Sequence, residues 1–136
     1  MNTASKAVIE VENLSRSYRR KDALKNVTLH VPEGCVFGLV GENGAGKTTL
    51  IKHVLGALKP QQGSVRVFGK DPVGDPVGVL ADVGYLSEDR EMPAWMRIRE
   101  LLRYIQAFYP KWDAEYAEEL REVFRLDPAA KIKHLS

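Results

Sequence analysis

The chain has 136 residues, enough for one domain with a sizeable core or for part of a larger one. Its 20 basic and 18 acidic residues nearly balance, at net +2, so no strong field argues for a nucleic-acid partner. A single cysteine excludes an intramolecular disulfide; no apolar run approaches the roughly 20 residues of a membrane-spanning helix, and the N-terminus lacks a signal peptide's apolar core. A cytoplasmic chain is expected, reaching a membrane only through a partner.

The N-terminal third reads as β. Ala7–Val11 is a short strand with a polar continuation at Glu12-Asn13, and Ser15–Asp22 is a polar loop. Val27, Leu29 and Val31 alternate with Thr28 and His30, as on a half-buried strand. Pro32-Glu33-Gly34 turns the chain into the apolar run Cys35–Val40, which predicts a buried strand and a buried, inert thiol. Leu50, Ile51, Val54, Leu55 and Leu58 predict a helix that runs to Lys59-Pro60. Val65 and Val67 mark a strand, Lys70–Val79 is mostly loop, and Val83–Leu86 is a further short strand. From Met92-Pro93 the pattern is helical. Ile98, Leu101, Leu102, Ile105 and Phe108 give one helix, closed by Pro110. Asp113 is the N-cap of a second, stapled by Trp112 on Ala117, with Tyr116, Leu120, Val123 and Phe124 inward. The two are expected as an antiparallel pair. The acidic stretch Glu115–Glu122 reads as a solvated face.

Between the apolar run and the first helix stands Gly41-Glu-Asn43-Gly44-Ala45-Gly46-Lys47-Thr48-Thr49. This is G-x-x-x-x-G-K-T, a phosphate-binding loop when it joins a strand to a helix. Glycine permits backbone dihedrals that a side chain forbids, so successive N–H groups can face phosphate oxygens. The helix N-terminus adds unpaired N–H groups and a favourable dipole. Lys47 supplies a cation for the β- and γ-phosphates and Thr48 a hydroxyl for Mg²⁺. Thr49 is either a second phosphate contact or an ordinary helix residue.

With these motifs in order, the chain resembles the N-terminal part of an ABC-transporter ATPase domain, over nearly all of residues 9–136. Glu10–Ser15 followed by Tyr18 resembles the family's opening strand and adenine-stacking loop. Ala23–Val27 resembles the run into the next strand, and Phe37–Gly41 the strand into the Walker A loop. Gly84-Tyr85-Leu86-Ser87-Glu88 resembles the Q-loop, with Glu88 where the family has glutamine. That glutamate, and Phe108–Asp113, resemble the drug- and bacitracin-export branch. Lys131–Ser136 resembles the lead-in to the signature motif, stopping after Leu135-Ser136.

The resemblance implies a fold and a role. The fold is a partial α/β P-loop NTPase core with N-terminal antiparallel strands and a C-terminal helical subdomain, divided as residues 1–91 and 92–136. The cofactors implied are ATP and Mg²⁺, held by Tyr18, Gly41, Asn43, Gly44, Ala45, Gly46, Lys47, Thr48 and Thr49, with Thr48 and Glu88 at the metal and Glu88 in a catalytic place. The partners implied are a transmembrane permease subunit and a second ATPase domain, at the inner face of the cell membrane. The chain is expected to be a truncated portion, lacking Walker B, most of the signature and the switch histidine. It is expected to bind Mg-ATP without hydrolysing it alone. His30, His53 and His134 match no catalytic position. Residues 89–97 are expected to face the transporter. Trp95 is either packing beneath the helix pair or a contact with the membrane partner. Rival readings are a soluble ABC ATPase working on ribosomes or DNA, a remnant without function, and a small-molecule P-loop kinase.

Overall fold

The alternation of apolar and polar residues along the N-terminal third produces two long strands, β1 (Ala7–Tyr18) and β2 (Lys21–Pro32). They form an antiparallel hairpin, and β3 (Gln62–Val67) pairs antiparallel with the other edge of β1, giving the order β2-β1-β3. This computed structural model describes residues 6–19, 21–87 and 92–135. Four register shifts interrupt the hairpin, and the two in its middle offset one another. The pairs Val11↔Leu29, Leu14↔Val27 and Arg16↔Leu24 need one extra residue first on β1, then on β2. Asn13 and Asn26 sit there at positive φ, which asparagine tolerates better than most residues. Each bulged N–H is satisfied across the pair: Asn13 N donates to Thr28 Oγ1 at 3.0 Å and Asn26 N to Ser15 Oγ at 2.9 Å.

Residues 15–22 are thus the end of a hairpin and not an irregular loop, because Tyr18 and Lys21 pair directly. The buried core of this part is Val11, Leu14, Leu24, Leu50, Val65, Val67 and Val79, with Ile9, Val27, Leu29, Val54 and Val83 packed against it. Helix α1 (Lys47–Val54) contributes Leu50 and His53 to the interior. It ends earlier than the apolar spacing predicts. Gly56 turns left-handed at φ 73, and a side chain there would lie 2.1 Å from Pro72 O. The stretch read as loop contains a short helix, α2 (Pro76–Leu80), whose N-cap Asp75 accepts from Gly78 N at 2.9 Å.

Two expected strands are absent. Residues 35–40 and 83–86 are irregular. Val36 is 103% exposed and Val40 94%, and Phe37, Leu39, Tyr85 and Leu86 are exposed too. A strand buried on both faces needs a ladder on each side, and neither run has a strand partner among the described residues. Cys35 is correspondingly exposed rather than buried, its Sγ 3.1 Å from Pro32 O.

The chain divides into two compact units, residues 1–83 and 84–136. The second holds α3 (Ile98–Gln106), α4 (Ala114–Val123) and a 3₁₀ turn (Ile132–His134). Arg97 N donates to Glu100 Oε2 at 2.8 Å at the start of α3. Asp113 caps α4 as its sequence position suggests, accepting from Tyr116 N at 2.9 Å. Main-chain bonds tie this unit's ends together: Ile132 N donates to Met96 O and Lys133 N to Ala94 O. Of the four residues expected inward on α4, only Leu120 is half-buried. Tyr116, Val123 and Phe124 are exposed, and so is Phe108, which packs edge-to-face on Tyr104. Arg121 turns inward instead, with Ala117 and Leu120. Its guanidinium forks onto Glu118, and that hydrogen bond holds the Glu118 carboxyl below its ordinary value.

Candidate functional site

Gly41–Thr49 forms a tight loop opening α1. Ala45 N donates to Glu42 O at 3.1 Å, and the first helical bond is Leu50 N to Gly46 O at 2.9 Å. Gly44 and Gly46 take φ of 84 and 96, conformations closed to ordinary side chains. Gly46 is also pressed against β2: a Cβ there would sit 2.2 Å from Ala23 O and 3.0 Å from Leu24 Cδ2. As the N-cap it offers no side-chain acceptor, so it does not cap the N–H groups that start α1. Lys47 folds back over the loop. Its Nζ donates to Gly41 O at 2.5 Å and Glu42 O at 2.8 Å. A left-handed glycine loop, an uncapped helix start and an ammonium held by loop carbonyls fit a phosphate chain. Asn43 and Thr48 are exposed beside them, and Thr49 is half-buried.

The hairpin end lies at the same loop. Lys21, the cross-strand partner of Tyr18, places its Nζ 3.8 Å from where a Gly44 Cβ would be. Tyr18 is 44% exposed, and the Arg16 guanidinium lies over its ring, 4.9 Å from the centroid. Tyr18 and the phosphate loop are therefore brought to one end of the sheet. Lys21, Arg16 and Gln61 were not singled out from the sequence. Only Arg16 carried a signal, as the residue two before Tyr18 on one strand.

His53 is fully buried. Its Nδ1 is 2.8 Å from Thr49 O, so that nitrogen carries the proton, and its Nε2 has no partner among the described residues. His30 pairs with Glu12 at 2.6 Å on the sheet surface. His53 thus bonds the main chain of the last residue of the Gly41–Thr49 segment, and the His30 contact stays within β1 and β2. Glu88 lies outside the described residues, as do residues 89–91 and Ser136. Among the described residues no group of three or more His, Cys, Asp or Glu could hold a metal ion. No helix among them is long and apolar enough to cross a membrane.

The loop, its helix and the hairpin define a nucleotide-binding P-loop protein. The family model described as ABC transporter matches residues 24–136. The chain belongs to the ABC transporter family, as an ATP-binding domain. It is 33% identical over 129 residues to ABC transporter G family member 23 of Dictyostelium discoideum, covering 92% of this chain and 18% of that protein. Over 62 residues it is 48% identical to the bacitracin transport ATP-binding protein BcrA of Enterococcus faecalis, covering 46% of this chain and 20% of the relative. A solved ATP-binding subunit of an ABC transporter superposes with TM-score 0.84 at 30% identity, covering 95% of this chain and 56% of the other. An ABC transporter ATP-binding protein from Pyrococcus furiosus gives TM-score 0.75 at 27% identity, covering 94% and 62%. The chain thus spans less than two thirds of each of these relatives.

Proposed function

We propose that this chain binds Mg-ATP and forms the nucleotide-binding portion of a bacterial exporter's ATP-binding subunit. The observation that carries the nucleotide reading is the uncapped start of α1 behind two left-handed glycines, with Lys47 held across the loop mouth. The triphosphate would lie on residues 41–49 and the adenine on Tyr18. Thr48 and Glu88 would hold Mg²⁺, which would neutralise phosphate charge when bound. The exporter assignment rests on Glu88, on Phe108–Asp113 and on the match to a bacitracin-transport protein. In this reading the strand-rich part runs to residue 91 and the helical part from residue 92.

Binding is expected without appreciable turnover. Phosphoryl transfer needs a metal-organising aspartate and a group that orients the attacking water. Within residues 1–136 no stretch reads as a Walker B strand. Phosphate release from the purified chain should stay at the level of a Lys47→Ala control. Turnover near ~1 s⁻¹, an ordinary enzyme rate, that the control lacks would overturn this.

The permease contact would fall on residues 89–97, and a second ATPase domain would face the phosphate loop, at the inner face of the membrane. Trp95 is 69% exposed and Met92 is exposed beside it, which favours a contact patch over core packing. Trp95→Ala in the intact subunit should leave melting temperature and ATP affinity unchanged and weaken association with the membrane subunit. Undiminished association would exclude Trp95 from the interface.

A further inference from the structure

We propose that Arg16 and Gln61 form a two-part clamp that positions Tyr18 for the nucleotide base, a role that rests on the base-stacking reading of Tyr18. Tyr18 ends a strand, next to the turn at Arg19. Arg16 lies over its ring, and Gln61 holds the backbone of the residue before it.

Gln61 grips the backbone immediately before it. Its Oε1 accepts from Ser17 N at 2.8 Å, and its Nε2 donates to Ser17 O at 3.3 Å. One side-chain amide therefore closes both backbone groups of Ser17, as a neighbouring strand would. The Ser17 hydroxyl is taken up separately, donating to Asp22 Oδ1 at 2.6 Å across the hairpin.

Arg16 covers one face of the ring and leaves Tyr18 partly open to solvent. A cation over an aromatic face is attracted by the ring's quadrupole, and that attraction orients both groups. The guanidinium is anchored in turn by Nη1 donating to Lys59 O at 3.3 Å. Its Nε is buried with no partner among the described residues. An arginine serving only to satisfy its donors would not settle there.

Both anchors, Lys59 and Gln61, belong to the turn that follows α1, and α1 begins at the phosphate loop. The clamp links the base-stacking ring to the segment carrying the phosphate site. Tyr18 is thereby held before nucleotide arrives, so less ordering is required on binding.

The test measures ATP and inorganic triphosphate binding to the 136-residue chain by calorimetry, for Gln61→Ala, Arg16→Met, Arg16→Lys, Tyr18→Ala and the Tyr18→Ala/Gln61→Ala pair. Triphosphate reads the phosphate loop without a base. Gln61→Ala and Arg16→Met should each weaken ATP about threefold to tenfold and leave triphosphate unchanged. Arg16→Lys, which keeps a cation near the ring, should recover part of the loss. Adding Gln61→Ala to Tyr18→Ala should cost nothing more. If Tyr18→Ala weakens ATP but neither clamp variant does, the clamp is refuted and the stacking stands. If Tyr18→Ala has no effect, the stacking reading fails and the clamp with it. Equal loss of ATP and triphosphate in both clamp variants would show a structural link only and also overturn the proposal.

Discussion

Lys47→Ala should weaken Mg-ATP binding at least ~10-fold, since a hydrogen bond to a charged group contributes about 1.5–3 kcal/mol. In the free protein Lys47 Nζ is occupied by Gly41 O and Glu42 O, so nucleotide must draw it off two carbonyls. That exchange places the expected loss toward the lower part of the range. The fold should be indifferent, because the two carbonyls are exposed and water can replace the ammonium. Calorimetric titration of parent and variant, with melting temperatures in parallel, checks both halves. Equal affinity in the two proteins would remove Lys47 from the site.

Gly46→Ala should be more damaging, and in a different way. The residue combines φ 96 with a built Cβ 2.2 Å from Ala23 O, so a methyl group meets backbone that no rotamer can relieve. Left-handed strain alone costs about 1–3 kcal/mol, and the clash must push β2 and the loop apart. A destabilisation of about 3 kcal/mol or more is expected, read by denaturant unfolding, together with loss of ATP binding in the fraction that folds. Gly41→Ala is the contrast: its added Cβ would meet the Ala45 methyl at 3.3 Å and the Lys47 stem at 3.9–4.0 Å, a small adjustment. Equal stability of Gly46→Ala and parent would show that the loop does not lie against Ala23.

How much of this was legible in the sequence depends on where each residue finds its partner. The phosphate loop is local chemistry, so the glycine spacing, Lys47 and the helix that follows were readable without the fold. The same holds for Asp113, whose capping bond spans three residues. Helix α1 was overextended because the spacing continues through Leu58, whereas Gly56 and its approach to Pro72 O stop it. Residues 35–40 carry the pattern of a strand covered on both faces, but a strand exists only through its neighbours, and none pairs with it among the described residues. The inward face of α4 was misjudged except at Leu120, because Arg121, drawn in by Glu118 and Leu126 O, takes a place assigned to apolar residues. Gln61 could not be found at all: its partner Ser17 lies 44 positions away, and no local pattern reports such a contact.

The central claim is that nucleotide lies between the phosphate loop and the hairpin end that carries Tyr18. Amide chemical-shift mapping of the isotopically labelled 136-residue chain during titration with Mg-ATP tests it most directly. The account predicts saturable shifts concentrated on residues 41–49 and 16–21, with those at 16–21 disappearing when inorganic triphosphate replaces ATP. Saturable binding whose shifts avoid both segments, or no binding at millimolar Mg-ATP, would contradict it.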